Sequence, residues 1–168
     1  MNLELKTISR LAIVAAIYVV LTVSFQPISY GNIQFRISEV LVLLCFYRKD
    51  YGYGLIIGCL IANIFSPFGI VDVVFGTLAT TLAVIGIMFS KRLFIASLYP
   101  VILNGLIIGA QLYFFAELPL IESMIFVAIG EFVVVSIVGV LLFKDLQKHQ
   151  PFMKLIDANQ NYKINEEF

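Results

Sequence analysis

Three carboxylates in this chain stand in or beside long apolar runs, and they are the residues best suited to bind a ligand. They are Glu39, Asp72 and Glu131. A carboxylate in apolar surroundings is costly unless a cation, a set of hydrogen-bond donors or a proton satisfies it. Their presence predicts a binding site for a small polar molecule.

Amide side chains accompany these carboxylates. Asn104 and Gln111 are seven residues apart, which places them on nearly the same side of a helix. Both amides can then face one cavity, or both can join neighbouring helices by hydrogen bonds. Asn63, near the end of an apolar run, can cap a broken helix or reach the same cavity.

Two of the charged candidates also have a purely structural interpretation. Arg36 lies three residues before Glu39, so the two can pair with each other or each can contact a ligand. Asp72 opens a predicted helix, where free amide groups and the helix dipole stabilise a carboxylate. The complete set of predicted ligand-contacting residues is Gln34, Arg36, Glu39, Asn63, Asp72, Asn104, Gln111 and Glu131.

The elements that must position these residues are membrane helices. Of the 168 residues, 61% are hydrophobic and 13% are charged, and the mean hydropathy is +0.99. A soluble domain is about half apolar and about a quarter charged. About 20 helical residues cross the bilayer core. The sequence therefore predicts an all-α integral membrane protein.

Six transmembrane helices are predicted within a single domain of residues 1–145, followed by a short polar tail of residues 146–168. The second and third are short for a crossing, so part of residues 27–39 is predicted to run as a loop at membrane depth, covered by protein. The predicted helices span residues 8–27, 35–47, 51–65, 69–90, 93–115 and 120–143.

Positive charges fall in alternate gaps between these segments, which predicts that both termini are cytoplasmic. The cations concerned are Lys6, Arg10, Arg48, Lys49, Lys91, Arg92, Lys144 and Lys148. The polar residues then lie mostly in the outer half of the membrane, with Asn104 and Glu131 near its middle. This distribution predicts a polar cup that opens outward, with a solvated or surface-lying tail on the inside.

Composition argues against several other classes of protein. A channel needs polar lining along its whole length, and none is seen. The net charge is zero, so nucleic acid is not an expected partner. Cys45 and Cys59 stand on different predicted helices and His149 lies in the tail, so the spacing of a metal site or of a catalytic nucleophile with its base is missing. We expect no cofactor, no metal and no enzymatic activity.

Small residues recur at helical spacing. Ala12 and Ala16 are four residues apart and give the first helix a flat face, which either packs internally or receives another membrane protein. Gly54 and Gly58 repeat the same spacing, which lets helix backbones approach closely.

Three motifs together resemble the QueT family, whose members are substrate-binding S components of energy-coupling factor (ECF) importers. The motifs are PISYGNIQFRISE at 27–39, GCLIANIFSP at 58–67 and DVVFGTLAT at 72–80. The resemblance extends over roughly residues 5–145. It implies a six-helix ECF S-component bundle in the bacterial plasma membrane, with its site near the outer face.

The resemblance also implies partners. The face of Ala12 and Ala16 is expected to dock an EcfT-type transmembrane coupling subunit, and two EcfA-type ATPases would supply the energy. The chain agrees with this division of labour, because it has no Gly-x-x-x-x-Gly-Lys run to cradle phosphates. Substrate captured outside would be released inside when the S component topples in the membrane.

The ligand implied by the resemblance is a queuosine precursor, a 7-deazaguanine such as 7-aminomethyl-7-deazaguanine. Glu39, Asp72 and Glu131 are the candidates for the guanine edge and the amine. Donors to O6 are sought among Arg36, Gln34, Asn104 and Asn63, and stacking rings among Phe35 and Tyr113. The alternatives are an S component for a different vitamin, and a non-transporting scaffold or channel subunit.

Overall fold

Helices account for all the regular secondary structure in the described part of the chain. The computed structural model describes residues 5–30 and 34–161. The helices are α1 (Leu5–Ser24), α2 (Gln26–Ser29), α3 (Ile37–Tyr47), α4 (Tyr51–Ile64), α5 (Ile70–Phe89), α6 (Leu93–Ala116), α7 (Leu120–Leu146) and α8 (Gln150–Leu155). Two of them are irregular: α3 is a 3₁₀-helix over Ile37–Leu43, and α7 is a π-helix over Phe132–Gly139.

Among these residues, four helices are long and apolar enough to cross a membrane, namely α1, α5, α6 and α7. Large apolar side chains cover their outer surfaces, such as Leu5, Phe89 and Ile121, which are 79%, 75% and 71% exposed. Surfaces of this kind fit lipid and not water. The predicted all-helical membrane architecture is confirmed, while six complete crossings remain a prediction, because α3 and α4 are shorter.

The region predicted to run at membrane depth is a break between α1 and α3. The first helix ends at Ser24, earlier than the predicted residue 27, and Pro27 lies in the first turn of the short α2. The next helix begins at Ile37. Tyr30, Gln34 and Arg36 in this break are buried, as non-helical backbone at membrane depth requires. Residues 31–33 of the first motif lie outside the described residues.

The centre of the bundle is α3. It contacts α1, α4, α5, α6 and α7, and its side chains from Val42 to Tyr47 are almost completely buried. From Val40 to Phe46 the helix is apolar on every face, which is typical of a core helix. Close packing of α1 on α4 uses the predicted glycine spacing, since a Cβ at Gly54 would lie 2.7 Å from the carbonyl oxygen of Leu11.

The cation-bearing gaps meet at one end of the bundle, which we call the basic end and define by Arg10, Arg48, Ser90 and Gln147. Contacts of residues 157–161 with Arg10, Arg48 and Ser90, and of Tyr47 with Gln147, hold these points together. The tail lies across this end as α8 and the segment after it, with Met153 and Ile156 buried in the main core. The described part of the tail is therefore anchored to this end of the bundle by these two side chains. Residues 162–168 lie outside the described residues.

Candidate ligand-binding site

All eight predicted ligand-contacting residues are buried. The exposed fraction is at most 5% for every one of them, although they come from five different parts of the chain. Burying a polar group costs free energy unless it finds a hydrogen-bond partner. The partners therefore decide which of these side chains hold the helices together and which remain available to a ligand.

Glu39 ties the start of α3 to α1. Its Oε1 accepts a short hydrogen bond from the Tyr18 hydroxyl and lies 3.8 Å from Arg36 Nη1. Beside it, the hydroxyls of Thr22 and Ser38 are 2.6 Å apart. Tyr18 and Thr22 are one helical turn apart, so they present both links from the same face of α1. The predicted pairing of Arg36 with Glu39 is present.

Glu131 links α7 to α6. Its Oε1 accepts a hydrogen bond of 2.9 Å from the amide of Asn104, and it is near enough to Glu39 and Arg36 to interact with them electrostatically. The π-helical stretch of α7 begins at the next residue, and such stretches are frequent at functional sites.

Gly130 brings the loop before α3 against α7. A Cβ on this residue would lie 2.6 Å from the carbonyl oxygen of Gln34. Only a glycine allows the loop backbone to approach α7 so closely. Gln34 therefore lies against Gly130, one residue before Glu131.

Asp72 forms a second polar cluster with the turn before α5 and with α6. Its two carboxylate oxygens accept short hydrogen bonds from the Ser66 hydroxyl and from the Gln111 amide. The carboxylate thus binds side chains in the first turn of α5, where no side-chain capping hydrogen bond forms. Asn104 and Gln111 lie on the same side of α6, as predicted, but they bind different carboxylates.

Tyr30 lies between the two clusters. The Arg36 guanidinium stacks over its ring, 5.3 Å from the ring centroid, and its hydroxyl donates a 2.6 Å hydrogen bond to the carbonyl oxygen of Ala62. Asn63, next along α4, donates to Cys59 Sγ at 3.3 Å and fits against α5 because Gly76 has no side chain there. Tyr30 therefore links the loop to the end of α4.

Five of the eight side chains carry one buried atom that has no hydrogen-bond partner among the described residues. These atoms are Arg36 Nε, Glu39 Oε2, Asn63 Oδ1, Gln111 Oε1 and Glu131 Oε2. Native proteins bury few such atoms, and each costs about 1–3 kcal/mol. Four of the five accept hydrogen bonds and one donates, so this set of atoms would suit a molecule rich in donors.

Comparison with known proteins identifies the family. The QueT transporter family matches residues 8–148. The chain belongs to this family. A relative in Lactococcus lactis subsp. cremoris (strain MG1363), the queuosine precursor transporter QueT, is 36% identical over 143 residues, which cover 74% of this chain and 83% of the relative. No solved structure matches the chain.

Family membership and the long apolar helices together establish a multi-pass cell-membrane protein of a transporter family. The three motifs that carried the resemblance meet in space. Tyr30 of the first motif bonds to Ala62 of the second, and Ser66 of the second bonds to Asp72 of the third. The three motifs are therefore adjacent in the structure, although they are separated in the sequence.

The structure separates the two candidate stacking residues. Tyr113 is 44% exposed, and its ring packs edge-on against Phe114 on the outside of α6. Phe35 is half-buried, packs on the main core, and directly precedes Arg36 in the chain. Phe35 is therefore the stacking candidate that lies near the site.

Tyr18 and Thr22 are the site residues that sequence reasoning missed. Both are completely buried, and both bind residues of α3. No local pattern separates them from the other polar side chains of α1, because their partners lie on α3.

The Gly130 contact gives a first prediction. Gly130→Ala forces the loop at Gln34 away from α7, and we expect a loss of about 1–3 kcal/mol of stability, as for overpacked cores. The measurement is the thermal unfolding temperature in detergent. The control is Gly139→Ala on the same helix, whose Cβ would first meet the movable end of the Leu43 side chain at 3.0 Å. Equal losses in both variants would show that the loop contact has no special role.

Proposed function

We propose that this protein is the substrate-binding S component of an ECF importer and that it captures a queuosine precursor, 7-aminomethyl-7-deazaguanine or a close analogue. The observation that carries the proposal is the set of buried, unpaired acceptor atoms beside three carboxylates. Family membership and the name of the Lactococcus relative support the substrate class.

Hydrogen-bonding groups of this ligand complement the unpaired atoms. A 7-deazaguanine offers donors at N1 and N2 and an acceptor at O6, and its aminomethyl arm is a cation. Glu39 Oε2 and Glu131 Oε2 suit the donor edge, because carboxylates bind such pairs of N–H groups strongly. Arg36 Nε, which can only donate, suits O6.

Charge favours the aminomethyl form over a neutral deazaguanine. Among the described residues, the buried charged side chains are the carboxylates of Glu39, Asp72 and Glu131 and the guanidinium of Arg36. A ligand ammonium group reduces this excess of negative charge. Asp72, with the unpaired Oε1 of Gln111 beside it, is the proposed position of the ammonium group.

The orientation follows from the positive charges. The basic end belongs in the cytoplasm by the positive-inside rule, with both termini there. The ligand site, near the start of α3 and of α5, then opens toward the outside, where the substrate of an importer arrives.

The proposed docking surface for an EcfT-type coupling subunit lies on α1. Ala12 and Ala16 are exposed, and together with Ile57 and Ile61 of α4 they line shallow apolar grooves on the outside of the bundle. Small side chains let a helix of the partner approach the backbone of α1 closely. EcfA-type ATPases bound to that subunit would hydrolyse ATP, so this chain itself is not an enzyme.

Binding is the second prediction. Glu131→Gln should weaken the affinity for 7-aminomethyl-7-deazaguanine about 10- to 100-fold, because it replaces a charged acceptor, worth about 1.5–3 kcal/mol, with a neutral one. Isothermal titration of the detergent-purified protein measures this. The matched control is Glu122→Gln on the same helix, where the side chain is exposed. Equal affinity in parent and Glu131→Gln would remove Glu131 from the site.

A ligand panel tests the function itself. Thermal stabilisation by 7-deazaguanines, with guanine, thiamine, riboflavin and biotin as comparisons, follows occupancy of the folded protein. Stabilisation by 7-deazaguanines alone supports the proposal. Stabilisation by another vitamin keeps the S component and rejects the queuosine precursor, and no stabilisation by any of them argues for a scaffold or channel subunit.

Docking is the third prediction. The double substitution Ala12→Leu and Ala16→Leu should abolish co-purification with coexpressed EcfT and EcfA subunits and leave ligand affinity within about twofold, because both residues point away from the site. Ala110→Leu on α6 is the control for an added apolar side chain on another outer groove. Retained co-purification in the double variant would place the docking surface elsewhere.

A further inference from the structure

The segment after α8 caps the basic end of α3. The last carbonyl groups of a helix have no partner within it. Here the carbonyl of Cys45 accepts a 3.0 Å hydrogen bond from the Gln160 amide, and that of Phe46 accepts a 2.8 Å bond from the Asn161 amide. The carbonyl of Tyr47 accepts from two successive backbone N–H groups of the same segment, each at 3.1 Å. Three consecutive helix-terminal carbonyls are thus satisfied by the tail.

Asp157 in this segment joins α1 to α3. Its Oδ2 lies 2.6 Å from Arg10 Nη1 and 2.6 Å from Arg48 Nη1. Arg10 belongs to α1, and Arg48 directly follows α3. The hydrogen bond from Arg10, with the positive charges of both arginines, lowers the pKa of Asp157, so its carboxylate is ionised at neutral pH.

The backbone conformation at Asp157 and Asn161 suits these two residue types. Asp157 and Asn161 have φ values of 52° and 59°, in the left-handed region that Asp and Asn enter more readily than other non-glycine residues. The segment can therefore turn across the helix ends without glycine.

The same two helices are joined again at the far end of α3. There Tyr18 and Thr22 of α1 bind Glu39 and Ser38 of α3. Between the two links α3 is buried along most of its length, and Leu41 is the partly buried exception among these residues. A helix fixed to its neighbour at both ends cannot slide along it without breaking one of the links.

We propose that Asp157 is a positioning residue for the ligand site: by bridging Arg10 and Arg48 at the basic end, it sets the depth of α3 and hence the place of Glu39 at the other end. The effect on ligand affinity rests on the proposed function. The effect on the position of α3 does not depend on it.

The first test needs no ligand. Asp157→Asn should increase the hydrogen-exchange rate of backbone amides at the start of α3, around Ser38 to Val40, by about fivefold or more, at the low end of typical coupling between sites. Asp145→Asn is the matched control, because Asp145 pairs only locally, with Lys148 at 3.4 Å and His149 at 3.8 Å. Unchanged exchange at the start of α3 in Asp157→Asn, alongside an unchanged control, would overturn the proposal.

A second variant tests whether loss of another contact between the tail and α3 has the same effect. Asn161→Gly removes the amide that caps Phe46 and keeps a residue suited to the positive φ. It should increase the hydrogen-exchange rate of the same backbone amides at the start of α3. Acceleration confined to the amides near Phe46 would show that the tail stabilises only its own end, which also overturns the proposal.

The last test separates positioning from general stability. Asp157→Asn should weaken binding of 7-aminomethyl-7-deazaguanine about fivefold, and this loss should disappear in a Glu39→Gln background, since coupled residues are non-additive. Additive losses would assign Asp157 a merely structural role. If the parent binds no 7-deazaguanine, the proposed function fails, while the exchange experiment still decides whether Asp157 positions α3.

Discussion

The packing of the bundle depends on the burial of α3, a helix that is too short to reach water at both ends. A helix of about 20 residues spans the hydrocarbon, and α3 runs only from Ile37 to Tyr47. Its terminal backbone and side-chain groups therefore need partners within the protein. Hydroxyls of α1 supply them at one end and the C-terminal segment supplies them at the other. The need for such partners explains why the segments before α3 and after α7 pack against the two ends of α3.

The same polar side chains hold the helices and leave atoms for a ligand. Glu39 uses Oε1 for Tyr18 and leaves Oε2 unpaired, and Glu131 uses Oε1 for Asn104 and leaves Oε2 unpaired. Gln111 donates to Asp72 and keeps its oxygen. The structural and functional interpretations of these residues are therefore not exclusive. One atom of each orients the side chain, and the other is presented in a fixed direction, which lowers the entropic cost of binding.

Sequence reasoning succeeded where the signal is local and failed where it is long-range. Apolar length predicted α5, α6 and α7 to within a few residues, and the cost of buried charge singled out Glu39, Asp72 and Glu131. The link from Tyr18 to Glu39 joins residues on different helices, and no local pattern marks it. The polar composition of the tail predicted a solvated or surface-lying segment but not its anchoring, which uses carbonyl groups of α3 that every residue has. The π-helical stretch of α7 likewise has no distinctive sequence.

Two opposite faces of α1 bring the ligand site and the proposed docking surface onto one rigid element. Tyr18 binds Glu39 on the inner face, and Ala12 and Ala16 are exposed on the outer face, within two turns of it. A partner that shifts α1 on docking acts on the hydroxyl that orients Glu39. Linkage then requires reciprocity: if docking weakens ligand binding by some factor, bound ligand weakens docking by the same factor. Under the proposed function, release of the substrate on the coupling subunit needs this sign of coupling, and α1 is the helix that joins the two surfaces.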